Sequence, residues 1–275
     1  MQNMSLPALT ASSFEVDIHR HTTLHDALQT VYTLRSVQNS QPDLKAAVRS
    51  VKRVQCRRFE RSYADMLTHI DWADAARFFL DELYADRDFS LRDAQFERIA
   101  PRIGQFFPSS VAAIATLLAQ LHALSEQLDH AVGIAMLGHA ATNSVALSAL
   151  PESAIDQFIS THYVNAWRSV GHTEARQSQL RMVLELGRGL ARITRMPGLH
   201  VMLRLMRKPA RGAGLEQLQH FLERGLEIFS TLQNSSAGVT PFLHSIEQRE
   251  VAWITRLFET SRDNTETQPP WPELE

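Results

Sequence analysis

The sequence lacks most features that would fix a chemistry by inspection. It has one cysteine, Cys56, among 275 residues, which excludes a disulfide framework and a zinc ribbon. The Walker and Rossmann glycine motifs, GxSxG and HExxH are all absent. The longest apolar run, "VAAIATLLAQL", is about half the length of a membrane span. These absences leave the reaction class open and predict no association with a membrane.

The two ends of the chain differ from its middle. The first residues have neither a basic start nor a continuous apolar stretch, so we expect no secretory signal and a cytoplasmic protein. Residues 1–21 are polar and predict a flexible arm, and the proline-rich residues 262–275 predict a disordered tail. We therefore expect a single all-helical domain over residues 22–261.

The middle of the chain follows a helical period almost throughout. Alternating β-branched runs are missing, and no Asn-Gly or Asp-Gly pair signals a hairpin. The pattern predicts an all-α, multi-helix bundle of about ten helices. Predicted boundaries include a start at Thr23, a helix that begins after Pro42 and runs to about Leu67, a cap at Ser109 or Ser110, an end at Gly171 and a new start near Gly212.

The formal net charge of −2 hides two basic segments. Residues 45–61 hold seven basic residues and one acid, and residues 188–211 hold seven basic residues and no acid. The sequence pI of 6.6 argues against a protein dedicated to nucleic-acid binding. Arginine forms bidentate contacts with carboxylates and phosphates, so these segments point to anionic ligands or acidic surfaces.

An acidic, aromatic stretch, "FFLDELYADRDFSLRD", covers residues 78–93. Its apolar residues form one helical stripe, and Asp81 lies four residues after Arg77 on another face. Ser90 and Asp93 match the spacing of a capping box. We therefore predict that the acids lie on a solvated face, in a turn and at a helix cap, and a metal site is the alternative.

Several segments resemble an uncharacterised family of helical bacterial proteins. They are the run "FFLDELY…DF…RD", "LHALSEQLD" at 121–129, "MRKPARGAGLEQLQHFLERG" at 206–225 and "RE" at 249–250. The resemblance covers about residues 50 to 258. It implies a helical fold and supplies no mechanism.

A polar stripe interrupts an apolar helix in the middle of the chain. His122, Ser125, Glu126 and Asp129 follow the spacing i, i+3, i+4 and i+7, and a polar stripe on a buried helix is costly unless its groups are bonded. Three interpretations stay open. The stripe forms a His–Glu hydrogen bond at a helix contact, lines a ligand cavity, or provides a metal or catalytic site.

A second candidate is the basic segment "LRLMRKPARGAGLEQL". Arg188, Arg192 and Arg195 form a stripe upstream of it. We predict an anion site at the start of a helix near Gly212, because helix N-termini attract anions and glycine allows close approach. A solvated face is the alternative. The predicted site consists of Arg204, Arg207, Lys208, Arg211, Gly212 and Gly214.

These observations favour a non-enzymatic binding or regulatory protein with a basic, anion-accepting face. Its partner would be a small anionic ligand or an acidic protein, and a homodimer is a further possibility. No metal ligand is assigned, and the sequence names no cofactor. The alternative is a metal- or cofactor-dependent enzyme with its site on the helix that carries His122, Glu126 and Asp129.

Overall fold

The computed structural model describes residues 16, 23–84, 89–103 and 107–259. Helices account for 86 % of this part and no strand occurs in it, which confirms the predicted all-α bundle. The predicted arm, apart from Val16, and the predicted tail lie outside the described residues. The eleven α-helices of the described part are α1 (Leu24–Ser40), α2 (Pro42–Ser62), α3 (Ala64–Thr68), α4 (Ala73–Phe79), α5 (Ser90–Ile99), α6 (Ser109–Thr142), α7 (Glu152–Val170), α8 (Thr173–Ile193), α9 (Leu199–Gly212), α10 (Glu216–Asn234) and α11 (Val239–Glu259).

Local signals account for several helix ends. Thr23 and Asp26 form a capping box, in which the Asp26 amide donates to Thr23 Oγ1 at 3.1 Å and the Thr23 amide donates to the Asp26 carboxylate. Gly171 closes α7 with a φ of 69°, a conformation that glycine adopts without strain. Both ends lie where the sequence predicts them.

Three other predicted boundaries are wrong. The helix that begins at Pro42 is interrupted at Tyr63, whose backbone is not helical. Pro108, not a serine, occupies the N-cap of α6, and no side chain caps it. Ser90 and Asp93 form no capping box, because Phe89 is the N-cap of α5 and the Asp93 side chain points into the protein.

The long helix α6 forms the centre of the bundle. It packs against α1, α2, α7 and α8, and every residue from Glu126 to Met136 is buried. Gly133 allows α2 to approach closely, since a Cβ at this position would lie 2.5 Å from Val48 Cγ2. No described helix is long and apolar enough to cross a membrane.

Gly187 sets the distance between α8 and α11, which pack along each other. A Cβ here would lie 2.5 Å from Leu243 Cδ2, closer than real carbon atoms approach. The exposed side of α8 at this level carries Arg188 and Arg192, and these arginines border the same groove as Thr240 in the first turn of α11.

Candidate functional site

A layer of polar side chains crosses the bundle at the middle of α6. The stripe of His122, Glu126 and Asp129 meets side chains from α1, α2 and α5 rather than solvent. We call these seven residues the polar layer: His122, Glu126 and Asp129 with their partners Arg35, Lys52, Gln55 and Asp93.

Asp93 is the centre of one half of the polar layer. Its side chain is almost fully buried, and its Oδ2 lies 2.8 Å from Arg35 Nη1 and 3.2 Å from His122 Nε2. With the proton on Nε2, His122 donates to Asp93. Burial raises the pKa of Asp93, but the hydrogen bond from His122 and the charge of Arg35 outweigh burial and hold the pKa well below its usual range. Asp93 is therefore ionised, and its contacts with Arg35 and His122 connect α5 to α1 and α6.

Glu126 and Asp129 form the other half of the polar layer, and their pKa values shift in opposite directions. Lys52 Nζ donates to Glu126 Oε1, and Gln55 Nε2 donates to Asp129 Oδ1 at 2.8 Å. Burial raises the pKa of Glu126, but the charges of Lys52 and His122 bring the net shift below the usual value. Burial also raises the pKa of Asp129, and there the charge of Lys52 does not overcome it.

The four residues of the predicted α6 stripe do not converge on one point. Ser125 Oγ donates to the Leu121 carbonyl at 2.8 Å and accepts from Gln179, while His122 pairs with Asp93. His122 and Ser125 border a cavity of about 30 Å³. In the described part of the chain, no group of three or more His, Cys, Asp or Glu side chains is placed to hold a metal ion. A metal on Glu126 would have to displace Lys52.

The acids of the stretch 78–93 also find partners inside the chain. Glu82 accepts hydrogen bonds from Arg92 at 3.0 Å and from Arg224 at 3.2 Å. Asp81 lies 3.4 Å from the same Arg224. The prediction of a solvated face and a cap is therefore wrong for Glu82 and Asp93, which are bonded within the protein, and residues 85–88 lie outside the described part.

The predicted anion site lies at the end of a helix instead of its beginning. Helix α9 continues through Gly212, and the next helix starts at Glu216, so the prediction of a helix start near Gly212 is wrong. Arg207 pairs with Glu223 at 2.7 Å, and Arg211 pairs with Glu216 at 2.9 Å. Arg211 lies in the last turn of α9, where the helix dipole favours a cation, and both arginines have a carboxylate partner, so neither needs a ligand there.

The other residues of the predicted anion site do not converge on one point. Arg204 and Lys208 are exposed on α9 and form no ion pair with another described residue. Gly214 has a φ of 67° in the turn after α9, and Arg98 donates to the neighbouring Ala213 carbonyl at 2.8 Å. Whether this face binds an anion stays a prediction.

A more concentrated basic surface lies between α8 and α11. We call it the basic groove, a depression of about 390 Å³ in which Arg188 and Arg192 of α8, and Arg195 in the turn after α8, face the start of α11. The three arginine side chains are exposed, and none forms a hydrogen bond or ion pair with another residue of the described part. The other polar residues of its lining are Gln233, Thr240, His244 and Glu247.

The sequence shows only one side of the basic groove. The i, i+4, i+7 spacing of the arginines predicts one face of a helix. The structure keeps Arg188 and Arg192 on α8, but the helix ends at Ile193 and Arg195 lies in the turn after it. Thr240 and His244 come about fifty residues later, so no local pattern connects them with these arginines. The first turn of α11 contains no acid that could compete for its amides.

Asp156 shows how the other basic segment, residues 45–61, is used. It accepts hydrogen bonds from Arg53 at 2.7 Å, from Arg57 at 2.7 Å and from Ser50, which fixes α7 to α2. Burial raises the pKa of Asp156, but the hydrogen bonds from Arg53, Ser50 and Arg57 lower it to about 2. Basic residues of this segment therefore stabilise the fold by pairing with a carboxylate on a neighbouring helix.

The stabilising effect of Asp156 should disappear in acid. A depressed pKa means that the contribution is complete above the unfolded-state value of about 3.9 and is lost as the pH falls towards about 2. Asp156→Asn should therefore destabilise the protein at about pH 6, and the difference from the parent chain should shrink at about pH 2.5. Urea unfolding at several pH values measures it. Glu152→Gln, an exposed neighbour, is the control, and an Asp156→Asn effect that does not change with pH would contradict the assignment.

The fold and these sites define an all-α bundle with an ion-paired polar layer in its interior and an open basic groove on its surface. The chain belongs to the family described as "Domain of unknown function (DUF8198)", whose model matches residues 34–264. This match confirms that the chain belongs to an uncharacterised family, as its sequence segments predict. Searches of curated proteins and of solved structures found no match.

Proposed function

We propose that this protein is a non-enzymatic binding protein whose basic groove holds a small phosphate-bearing ligand. The observation that carries the proposal is the row of arginines 188, 192 and 195, which line the groove without a carboxylate partner in the described part of the chain. Many other arginines of the described part have a carboxylate partner. Those with an ion pair include Arg35, Arg53, Arg57, Arg58, Arg92, Arg207, Arg211, Arg224 and Arg249.

The shape of the groove favours a small molecule with more than one anionic group. The backbone positions of Arg188 and Arg192 are one turn apart on α8, about 6 Å along its axis, and Arg195 follows two residues after the helix ends. Each guanidinium presents a planar fork of donors that matches a phosphate. The exposed Thr240, with its hydroxyl, adds a donor at the other wall. Glu247, which lies 3.9 Å from His244, is the one acid among the described residues that line the groove.

Binding should appear as stabilisation by mass action. Pyrophosphate at a hundredfold excess over its Kd should stabilise the fold by about 2.7 kcal/mol. Thermal unfolding with inorganic phosphate, pyrophosphate and adenosine triphosphate measures the effect. Added salt should weaken it, because exposed charges are screened over about 10 Å at 0.1 M ionic strength.

Two matched variants separate the basic groove from the basic face of α9. Arg192→Gln and Arg204→Gln each remove one exposed arginine that has no ion-pair partner among the described residues. Arg192→Gln should lose most of the pyrophosphate shift, and Arg204→Gln should keep it. If only Arg204→Gln loses the shift, the anion binds on α9 and the proposal for the groove fails. Equal shifts in all three proteins would also refute it.

A further inference from the structure

Two histidines from neighbouring helices lie side by side where the end of α6 packs against α7. His139 belongs to the last turn of α6, and His162 lies in the middle of α7. Their ring centres are 5.1 Å apart, and both side chains are half-buried. His139 follows Asp129 by about 15 Å along the axis of α6, so these two residues, which we call the histidine pair, are separate from the polar layer.

The ring of His162 is held in one orientation and one tautomer. Its Nδ1 donates to the carbonyl oxygen of Phe158, one turn earlier on α7, at 2.9 Å, and the Phe158 ring packs against it with ring centres 4.4 Å apart. Because a carbonyl oxygen only accepts, Nδ1 carries the proton and the neutral ring keeps its lone pair on Nε2. Histidines that bind a metal almost always donate their other N–H to a carboxylate, a backbone carbonyl or water. His162 has the hydrogen bond that a metal-binding histidine needs.

His139 can supply the second nitrogen. Its imidazole forms no hydrogen bond or ion pair with a described residue, so the ring can rotate to turn a nitrogen towards His162. Burial lowers the pKa of His139, and the charge of His162 lowers it further, which keeps the ring neutral and its lone pair free near pH 7. The last turn of α6 contains no Lys or Arg, and the negative end of the helix dipole favours a cation there.

We infer that the histidine pair binds one divalent transition-metal ion, Zn²⁺ or Cu²⁺, with water in the other coordination positions. Two imidazoles bound at about 2 Å to one tetrahedral metal ion hold their ring centres about 5 Å apart. The histidine pair has this spacing before any metal binds. Imidazole nitrogen suits both ions, whereas Mg²⁺ prefers oxygen ligands. Since no group of three or more metal-binding side chains occurs in the described ranges, the protein supplies two ligands here, and the bound ion joins the end of α6 to α7.

Calorimetric titration of the untagged full chain, first treated with a chelator, tests the histidine pair. Zn²⁺ should bind, and Mg²⁺ should not. His139→Gln and His162→Gln should each raise the Kd for Zn²⁺ by about tenfold or more, since even the loss of an outer-shell partner of a metal-binding histidine costs about 10–100-fold in affinity. His139→Gln breaks no hydrogen bond with a described residue, so it tests the site even if His162→Gln does not fold. An unchanged Zn²⁺ affinity in His139→Gln would overturn the inference.

A second pair of histidines in the sequence provides the control. His19 and His21 lie outside the described residues, and the double variant His19→Gln, His21→Gln should keep the Zn²⁺ affinity of the parent chain. Electron paramagnetic resonance of Cu²⁺ bound to this double variant counts the coordinating nitrogens. Two imidazole nitrogens are expected, and one should remain when His139→Gln is added. If the double variant loses Zn²⁺ binding, or if its Cu²⁺ spectrum shows a single imidazole nitrogen, the metal does not bind at the histidine pair and the inference is wrong.

Discussion

Replacing Lys52 by methionine should lower the free energy of unfolding by about 3–5 kcal/mol, the usual cost of breaking a buried ion pair from one side. The substitution leaves the Glu126 carboxylate buried, with Arg35 at 4.0 Å as the nearest remaining cation of the polar layer. Oε2 of Glu126 already lacks a hydrogen-bond partner among the described residues. Without Lys52, neither carboxylate oxygen would have a charged donor within hydrogen-bonding distance among the described residues. Equilibrium unfolding in urea measures the change.

Two further variants determine whether the loss of stability in Lys52→Met comes from the broken Lys52–Glu126 ion pair. The double variant Lys52→Met, Glu126→Leu removes both charges and should recover most of the lost stability, since apolar side chains often replace a buried pair at little cost. Lys45→Met, an exposed lysine of the same helix, should change stability by less than about 0.5 kcal/mol. If the double variant is no more stable than Lys52→Met, the cost comes from packing and the electrostatic account of the polar layer is wrong.

The helical architecture follows from local information. The capping box at Thr23 and the glycine after α7 act through residues within one turn of each other, and such signals are legible in a sequence. The spacing of apolar residues likewise predicts helices throughout the middle of the chain. Each of these features needs only neighbours along the chain.

The polar layer was not predictable in the same way because its bonds connect distant residues. Asp93 satisfies the local spacing of a capping box with Ser90, yet in the structure it pairs with Arg35 and His122. Both arrangements satisfy the carboxylate, and only the packing of α1 and α6 against α5 decides between them. The stripe on α6 was visible, but its partners lie on other helices.

Helix α9 shows why a proline can mislead. Pro209 predicts a helix boundary, and the helix nevertheless runs through Pro209 and ends three residues later at Gly212. A proline at this position cannot donate to the Leu205 carbonyl four residues earlier. Leu205 is 73 % exposed, so water can satisfy its carbonyl in place of the missing amide. The sequence alone does not show that Leu205, an apolar residue, is exposed to solvent.

Phe79→Ala should be among the most damaging single substitutions, with a cost of about 3–5 kcal/mol. The Phe79 ring is buried between Phe229, with ring centres 5.9 Å apart, and Phe242, with ring centres 6.0 Å apart. Its removal would leave a void where α4, α10 and α11 meet, and the surrounding helices cannot collapse fully into it. The free energy of unfolding from chemical denaturation gives the loss.

Asp81→Ala, two residues further along the chain, is the matched control for Phe79→Ala. Asp81 is partly exposed and lies 3.4 Å from Arg224, which also pairs with Glu82. Because Arg224 keeps that second partner and solvent screens the pair, the substitution should cost less than about 1 kcal/mol. A larger cost for Asp81→Ala than for Phe79→Ala would mean that the acids of "FFLDELY" hold α4 against α10 more strongly than its aromatic side chains do.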